Sequence, residues 1–417
     1  MFSRVKGTQD FLDLTLFNFI IDKAKHHLTT YHFTEIATPI LESVALFKRS
    51  LGLYTDVVSK EMFIIAAGEH DEEAICLRPE ATAPIVRAFV ENNVQQTPWK
   101  VFTWGPMFRY ERPQKGRYRQ FHQISMEVIG SKSVMQDVQF IKMLDRFFHE
   151  QLSFNNYALL LNYLGCSQDR INYEAILKKF LDTQGAGKID ELCMIRKEKN
   201  VMRVFDCKNP QCQEVYKDAP LITDYLCPAC EVEWKQLQEM LQLLSVSFVV
   251  KPTLVRGLDY YNKTVFEFTS DELGAQSAFC AGGRYDQLVA QIGGKEDQPS
   301  LGAALGIERL MLILQQVNVL PLPQLPPLHV IIPVTQEQTG VALILADELQ
   351  AHSLATEVLV DGESMKSMMR KANKLGAKFC LIIGADEQNA HEVSVKNMVT
   401  GEEKRVPQVE VVSYLSL

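Results

Sequence analysis

The sequence predicts two folded units: an N-terminal α+β unit with an antiparallel hairpin and a helical insertion, and a C-terminal α/β unit. Three observations predict this class. The chain has 417 residues, whereas a single hydrophobic core seldom serves more than about 300. Short alternating runs over 97–130 have the spacing of a hairpin with a long charged loop. Strand-like and helix-like runs then alternate after a proline-rich stretch, which is typical of parallel strands joined by helices.

The elements of the N-terminal unit, expected over residues 1–325, follow from the spacing of apolar residues. A mainly helical insertion is expected at about 170–245, because no strand-like run occurs there before 248–250. The other predicted elements are, in chain order, a helix over 11–32, a β-like run over 33–40, the hairpin over 97–130, a helix over 138–152, strand-like runs over 264–268 and 277–281, and a helix over 302–315.

The C-terminal unit is expected over residues 326–417. A stiff extended linker is predicted before it from four prolines within seven residues, Pro321, Pro323, Pro326 and Pro327. The predicted elements beyond the linker are strands over 330–334, 356–360 and 379–383, alternating with helices over 340–352 and 365–375. In the second helix Lys366, Arg370 and Lys374 are four residues apart and predict a basic edge, with a solvated helix face as the alternative.

Composition narrows the class of protein. Hydrophobic content of 47% with 23% charged residues is typical of a globular chain and excludes disorder as the main organisation. No apolar run approaches the roughly 20 residues of a membrane span, and the first residues lack an apolar signal core, so we expect a cytoplasmic protein without a membrane partner. The net charge of −8 implies that any site for a polyanion is local.

Two segments carry cationic side chains beside aromatic or apolar residues. Residues 108–123 place five cations among aromatic residues, which suits phosphate oxygens and a purine ring; the alternative is a solvated charge run. Residues 301–310 predict a glycine-rich apolar helix. Burying the charge of Arg309 in it would cost free energy unless an anionic partner were present. Its alternative is a structural salt bridge with Glu308 or another carboxylate.

Together these segments resemble the second and third signature motifs of class II aminoacyl-tRNA synthetases. Phenylalanine, arginine and glutamate surround Arg109, and a glycine-x-glutamate-arginine sequence ends at Arg309; the first motif matches weakly over 33–41. The resemblance implies an antiparallel sheet flanked by helices and not a Rossmann fold. Neither a G-x-G-x-x-G sequence nor a Walker A loop occurs in the chain.

Further motifs are similar to those of the histidyl-tRNA synthetase family. Leu254 to Tyr261 resembles that family's own signature, Ala281 to Asp286 resembles its second private motif, and the resemblance extends over nearly the whole chain. Residues 60–62, 77–83 and 105–109 fit the family too. It implies a homodimeric ligase that forms histidyl-adenylate from L-histidine and ATP with Mg²⁺. The histidine would then be transferred to tRNA(His), whose anticodon the C-terminal domain would read.

The resemblance implies five residues for ATP and the chemistry. Arg109 would grip the α-phosphate and the amino-acid carboxylate, and Arg256 would stabilise charge that develops at the α-phosphate. Arg309 would hold the γ-phosphate end. Arg117 would reach the outgoing phosphates or the tRNA acceptor end, and Phe121 would stack on adenine. Positioning and charge neutralisation would supply the rate without a protein nucleophile.

Histidine selection requires partners for both imidazole nitrogens and a counter-charge for the α-amine. For each tyrosine of the proposed pocket, the alternative is ordinary core packing with a satisfied hydroxyl. Besides Arg109 and Arg256, the resemblance implies Glu80, Ala81, Thr82 and Gln123 at the amino-acid head, Glu127, Tyr261 and Tyr285 around the ring, and Leu258 and Tyr260 in the wall.

Nine cysteines are too sparse for a disulfide scaffold, and their spacing offers one metal hypothesis. Cys207 and Cys212, with Cys227 and Cys230, could enclose one structural zinc tetrahedrally; the alternative is free thiols in a helical insertion. The spacing of the cysteines alone does not assign a metal. The remaining cysteines, Cys76, Cys166, Cys193, Cys280 and Cys380, are expected mostly to be buried packing groups.

Two other functions would require different sequence features from those of the ligase. A catalytically silent paralogue that regulates histidine biosynthesis would lack the anticodon domain and an intact signature around Arg256, yet both are present here. Another class II synthetase would lack the sequence 256–261. The sequence departs from the family pattern at Tyr110, Ala81 and Ser59. Tyr110 is next to Arg109, the arginine expected to bind the substrates, and is therefore close enough to affect the reaction rate.

Overall fold

The structure is a computed structural model, and it describes residues 2–52, 55–65, 74–317, 326–361 and 364–416. The chain divides into two compact units, Met1–Leu322 and Pro323–Leu417. Pro321 and Pro323 of the predicted linker lie outside the described residues.

The first unit is built on a mainly antiparallel sheet, as the family resemblance implied. Its strands are β1 (Thr34–Glu35), β2 (Leu41–Ser43), β3 (Phe63–Ile65), β4 (Ile75–Leu77), β5 (Trp99–Phe108), β6 (Gln120–Ile129), β7 (Ala158–Tyr163), β8 (Val249–Val250), β9 (Asn262–Thr269), β10 (Ala278–Arg284) and β11 (Ser300–Gly306). Within the described residues, eight of them form a sheet in the order β1-β5-β6-β11-β10-β9-β7-β8. Only the outer pairs, β1 with β5 and β7 with β8, are parallel. Strands β2, β4 and β3 form a separate small sheet.

Helices cover both faces of the large sheet. They are α1 (Thr15–Thr30), α2 (Val44–Leu51), α3 (Thr82–Glu91), α4 (Val134–Arg146), α5 (Ser167–Thr183), α6 (Glu191–Lys199), α7 (Pro210–Tyr216), α8 (Pro228–Leu243), α9 (Leu288–Ile292) and α10 (Ile307–Val317). The apolar sides of α1, α4, α8 and α10 pack on one face of the sheet. The predicted insertion corresponds to α5 through α8.

Strand alternation separates this core from the functional face. In β6 the even positions Ile124, Met126 and Val128 enter the core under α1 and α4. Successive side chains of a strand point to opposite faces, so Gln123 and Glu127 lie on the other side. The same alternation puts the odd positions of β11 in the core and its even, small positions on the functional face.

The predicted helix over 302–315 is wrong in its first part. Residues up to Gly306 form β11, paired with β6 and β10, and α10 begins only at Ile307. Small residues suit this strand because a Cβ at Gly302 would lie 1.5 Å from Glu127 Oε2. The predicted β-like run over 33–40 forms only the two-residue strand β1, whereas the helices predicted at 11–32 and 138–152 correspond to α1 and α4, the latter with one more π-helical turn.

The second unit has a mixed sheet. Its elements are β12 (His329–Pro333), α11 (Thr339–Ala351), β13 (Thr356–Val358), α12 (Met365–Lys374), β14 (Phe379–Ile383), α13 (Ala385–Ala390), β15 (Glu392–Asn397), β16 (Glu403–Pro407) and α14 (Val411–Leu415). The predicted parallel strands are present as β13, β12 and β14. The antiparallel strands β15 and β16 extend the sheet and were not predicted.

The predicted basic edge lies on α12, where Lys366, Arg370 and Lys374 are all exposed. Across both units, no helix in the described ranges is long and apolar enough to span a membrane.

Candidate active site

Glycines on the central strands open a recess on the functional face. Gly302 of β11 lies opposite Glu127 of β6 and Gly283 of β10. A Cβ at Gly283 would lie 2.9 Å from Tyr261 Cδ1, and one at Gly302 would collide with the Glu127 carboxyl. The two glycines therefore make room for one carboxyl group and one aromatic ring.

Two buried carboxyls, Glu80 and Glu127, form what we call the carboxyl end of the site. Glu80 precedes α3, and its Oε2 and Oε1 accept hydrogen bonds from the backbone N–H of Thr82 (2.7 Å) and Ala83 (2.9 Å). The Thr82 hydroxyl donates to Glu127 Oε1 at 2.8 Å, and the Tyr285 hydroxyl donates to Glu127 Oε2. Backbone and hydroxyl groups thus fix both carboxyls.

These two carboxyls have no ion-pair partner among the described residues, although the field of Arg109 acts on Glu80. Burial raises the pKa of Glu80, and it raises the pKa of Glu127 well above its usual range, to which the field of Glu80 adds. Within the described ranges, no lysine, arginine or histidine forms an ion pair with either carboxyl. A buried carboxylate without a counter-charge favours a cationic ligand, because the ligand supplies the missing charge.

Three tyrosines form a wall beside the carboxyl end. The ring centroid of Tyr260 lies 4.6 Å from that of Tyr261 and 5.6 Å from that of Tyr285, and all three rings are buried. Leu258 packs on the same cluster but is only partly buried. The ring of Tyr285 is packed in this cluster, and its hydroxyl donates a hydrogen bond to Glu127. Tyr285 therefore combines core packing with a polar contact at the carboxyl end.

Two other predicted residues complete this region. Ala81 is buried at the N-cap position of α3, between Glu80 and Thr82. Gln123 lies on β6 opposite Gly306, and its Oε1 is buried without a hydrogen-bond partner. The structure therefore brings the predicted residues Glu80, Ala81, Thr82, Gln123, Glu127 and the tyrosines together on one face.

Three arginines, Arg109, Arg117 and Arg309, form what we call the cation end. Arg109 follows β5, its Nε donates to the Pro79 carbonyl at 2.9 Å, and its guanidinium lies 5.3 Å from the Phe121 ring centroid. Arg117 in the hairpin loop pairs with Glu111 at 2.8 Å. Arg109 thus already stacks on the aromatic ring that was predicted to hold adenine.

Arg309 is held by carbonyl oxygens, not by carboxylates. Its Nε donates to Gly116 O at 3.0 Å and its Nη1 to Ala278 O at 2.5 Å. Burial, with the fields of Arg117 and Arg109, lowers the pKa of the Arg309 guanidinium to about 10. A buried cation among other cations favours an anionic ligand.

The alternative that Arg309 forms a salt bridge with Glu308 is wrong. Both Glu308 carboxylate oxygens accept from the His122 backbone N–H at 2.9 Å, and Oε1 also contacts His122 Nδ1 at 2.8 Å. Glu308 therefore anchors β6 to α10, and within the described ranges Arg309 forms no ion pair with a carboxylate. Sequence reasoning missed His122, for which a polar residue within a strand was the only signal.

Arg256 lies beside the tyrosine wall, paired with a carboxylate that the sequence analysis missed. Its Nη1 donates to Glu267 of β9, and its guanidinium carbon lies 5.5 Å from the Tyr261 ring centroid. Its Nε is buried without a hydrogen-bond partner. Burial opposes its charge, but the field of Glu267 raises the pKa of Arg256. The signal for Glu267 was a single carboxylate in the apolar strand 264–268.

An open cleft of about 300 Å³ borders Arg256 on the side of the insertion. Leu258 and Tyr261 line it from the signature segment, and Asn200 and Arg203 line it from the insertion. The insertion therefore contributes to the surroundings of the signature arginine.

The proposed four-thiolate site is wrong as a single set. Cys207 and Cys212 lie with Asp190 and Cys193, whereas Cys227 and Cys230 lie in a separate group with Cys166 and Asp169. The two predicted pairs belong to different helix starts, α7 and α8, and each meets a different partner segment. Their order along the chain did not show which pairs would meet.

Comparison with known proteins gives a consistent result. A family model described as "Histidyl-tRNA synthetase" matches residues 20–310, and one described as "Anticodon binding domain" matches residues 329–416. A protein of Solidesulfovibrio magneticus named histidine–tRNA ligase is 42% identical over 97% of this chain and 95% of its own length. A protein of the same name from Clostridioides difficile is 40% identical over 96% of each chain.

A solved structure agrees with these matches. The apo histidyl-tRNA synthetase of S. aureus superimposes with a TM-score of 0.83 at 29% identity, covering 100% of both chains. The family model covers well over half of this chain, and curated relatives match along nearly all of it. The chain therefore belongs to the histidyl-tRNA synthetase family.

Proposed function

We propose that this chain is a histidine–tRNA ligase, which uses ATP to join L-histidine to the 3′ end of tRNA(His) and releases AMP and pyrophosphate. Its family and its curated relatives support this function. The observation that carries it is the placement on one face of two buried carboxyls that form no ion pair among the described residues, Glu80 and Glu127, and of a buried arginine held by backbone carbonyls, Arg309.

Histidine binds at the carboxyl end in this proposal. Glu80 and Gln123, with Thr82, hold the amino-acid head, and Glu127 and Tyr285 face the imidazole ring. The positive charge of the bound amino acid supplies a counter-charge and favours the ionised form of both carboxyls. An analogue without these polar groups would leave the carboxyls unpaired, which disfavours its binding strongly.

In the first step a carboxylate oxygen of histidine attacks the α-phosphorus of ATP. A bond forms between that oxygen and phosphorus, and the bond from phosphorus to the bridging oxygen of pyrophosphate breaks. Arg109 aligns the two reactants, and Arg256 stabilises the charge that develops on the α-phosphate oxygens. In the second step a hydroxyl of the terminal tRNA ribose attacks the carbonyl carbon, and AMP leaves.

ATP lies at the cation end, with adenine against Phe121, the γ-phosphate at Arg309 and the outgoing phosphates near Arg117. Magnesium with ATP fits this end, because the ion takes most of its oxygen ligands from phosphates and water and needs only one or two carboxylates. Glu111 and Glu267 are the carboxylates of this region that could hold it, and each would then share its oxygens between the ion and its arginine partner, Arg117 or Arg256. The ion would neutralise phosphate charge during the transfer.

We also propose a division of labour along the chain. Residues 1–325 carry the catalytic domain with its insertion at about 170–245, and residues 326–417 bind the anticodon. The exposed basic edge of α12 supports a role in tRNA binding. Arg370→Ala is expected to raise the KM for tRNA in aminoacylation assays, and an unchanged KM would contradict that role.

A homodimer that works in the cytoplasm completes the proposal. The exposed apolar residues Ile40, Leu41, Ile64 and Ile65 on and beside the small sheet support an interface there. Light scattering is expected to give twice the mass of one chain, and Leu41→Asp is expected to give a monomer. A monomeric native protein would contradict this assembly.

The deciding experiment for the ligase is histidine-dependent exchange of pyrophosphate into ATP. Native protein is expected to catalyse the exchange, and Arg256→Ala is expected to lose about 10² to 10³-fold in rate, as for other removed transition-state donors. Arg146→Ala is a matched control, because Arg146 also pairs with a glutamate but does so on the surface, 2.9 Å from Glu150. No exchange by the native protein, or full exchange by Arg256→Ala, would contradict the assignment.

A further inference from the structure

Two clusters of thiols and carboxylates lie in and beside the insertion, away from the active site just described. In each cluster the four potential ligand atoms all lie within 4.8 Å of one another. The first cluster consists of Cys166, Asp169, Cys227 and Cys230. The second cluster consists of Asp190, Cys193, Cys207 and Cys212.

The first cluster lies between the starts of two helices. Cys166 is the N-cap residue of α5 and Cys227 that of α8, and each is followed three positions later by the second member of its pair, Asp169 or Cys230. The Asp169 carboxylate accepts from the backbone N–H of Cys166 (3.2 Å) and of Cys227 (3.0 Å), which ties the two turns together. Helix N-termini favour anions, so this position suits thiolates and a carboxylate.

The second cluster resembles the first in one of its two pairs. Asp190 is the N-cap residue of α6, and Cys193 follows three positions later. Two sulfur atoms of this cluster accept hydrogen bonds from backbone N–H groups. The N–H of Asn209 donates to Cys207 Sγ at 3.4 Å, and the N–H of Asp190 donates to Cys212 Sγ at 3.2 Å. Hydrogen bonds that orient the ligand atoms in this way are typical of metal sites.

The spacing and geometry of both clusters match a tetrahedral ion. In the first cluster, C-x₂-D and C-x₂-C pairs correspond to the paired knuckles of structural zinc sites with one cysteine replaced by aspartate. The second cluster has a D-x₂-C pair and a wider C-x₄-C pair, so it matches by geometry more than by spacing. Zinc–sulfur bonds of about 2.3 Å place tetrahedral sulfurs about 3.8 Å apart. Ligand atoms within 4.8 Å of one another therefore need to move by only about 1 Å to close around zinc.

We propose that this protein carries two structural zinc ions, each bound by three thiolates and one aspartate. Each thiol releases its proton to solvent when it binds the ion, and no electron transfer is involved. The first ion joins α5, where the insertion begins, to α8, where it ends. The second ion joins the start of α6 to the segment around α7.

Such ions would act on the active site through the insertion. Asn200, which follows α6, donates to Asp259 at 2.7 Å, and Arg170 of α5 donates to the Tyr261 carbonyl at 2.8 Å. Both contacts reach the signature segment that carries Arg256. The ions would therefore position the wall of the site and would not touch the reacting atoms.

Metal analysis of the full-length protein, produced without a polyhistidine tag and purified without chelator, tests the proposal. The native protein is expected to hold about two zinc ions per chain, one for each cluster. Cys230→Ala and Cys212→Ala are each expected to lose one ion. Cys380→Ala is the matched control, since Cys380 is a buried free thiol in the other unit, and it is expected to keep both ions. A zinc content near zero, with no uptake when the reduced protein is titrated with zinc, would overturn the proposal.

Cobalt substitution provides a readout on the native protein that does not depend on how the alanine variants fold. Native protein loaded with Co²⁺ is expected to show tetrahedral ligand-field bands and a thiolate-to-cobalt charge-transfer band. Asp169→Cys is expected to keep two ions and to strengthen the charge-transfer band, because one site gains a fourth thiolate. A spectrum without the charge-transfer band, or cobalt bound equally well by the double variant Cys212→Ala/Cys230→Ala, would overturn the proposal.

Discussion

The carboxyl end and the cation end of the active site hold opposite charges by the same device. Glu80 and Glu127 are fixed by backbone N–H and hydroxyl groups, and Arg109 and Arg309 are fixed by backbone carbonyls. Neutral partners orient a charged group without neutralising it. The pKa of Glu127 is accordingly raised, and that of Arg309 is lowered to about 10.

A buried ion pair nearby shows the contrasting arrangement. Arg284 lies 2.6 Å from Asp137, and both side chains are almost fully buried. Burial raises the pKa of Asp137 too, but here the charge of Arg284 opposes that effect and the pair joins β10 to α4. In the proposed function this contrast suits two substrates, histidine with its cationic group at the carboxyl end and ATP with its phosphates at the cation end.

The largest expected effect comes from the cation end. Arg309→Ala is expected to lower the rate of histidine-dependent pyrophosphate exchange about 10³-fold, since it removes a preorganised cation from a low-dielectric site. The KM for histidine is expected to stay close to the native value, because Arg309 lies at the phosphate end. Steady-state exchange kinetics with each substrate varied in turn would measure both. A rise in the KM for histidine as large as the rise in the KM for ATP would contradict the division of the site into two ends.

A smaller effect is expected at the carboxyl end. Glu127→Gln is expected to raise the KM for histidine about 10 to 100-fold by removing a charge-assisted hydrogen bond, with little change in the KM for ATP. Asp145→Asn is the control, because Asp145 also accepts from a tyrosine hydroxyl, that of Tyr157 at 2.7 Å, but outside the site. A matching rise in KM for the control variant would show that the effect is structural.

The smallest expected effect concerns stability and pH. Because burial raises the pKa of Glu127, the folded protein binds this proton more tightly than the unfolded chain does, and the ionised carboxylate costs stability. The cost appears as pH rises above the unfolded-state pKa of about 4.3 and stops growing above the folded-state pKa. Urea unfolding at a series of pH values should therefore show Glu127→Gln gaining stability relative to the native protein as pH rises. A difference that is independent of pH would contradict the uncompensated charge.

The residues proposed to contact substrate could be found in the sequence because their motifs are local. Arg109, Arg256 and Arg309 each lie in a short recognisable segment, and the structure brings them to one face. Their partners were not predictable in the same way. Glu267 meets Arg256 only after β9 and the signature segment pack together, and no spacing along the chain encodes that contact.

The missed elements have similar physical causes. The small residues of β11 fit a helix and a strand equally well, and only the collision of a side chain at Gly302 with Glu127 explains the strand. The cysteine pairs were each found, but their assignment to one site was wrong, because Asp169 and Asp190 were not considered as partners. Long-range pairing, and not local propensity, was the missing information in both cases.

Calorimetric titration with two ligands tests the central claim most directly. Histidinol keeps the ammonium and imidazole groups of histidine but lacks its carboxylate, so it probes the carboxyl end alone, and ATP probes the cation end. The account predicts that Glu127→Gln weakens histidinol binding and leaves ATP binding unchanged, whereas Arg309→Ala does the reverse. Equal weakening of both ligands by each variant would contradict a site built from two separately uncompensated ends.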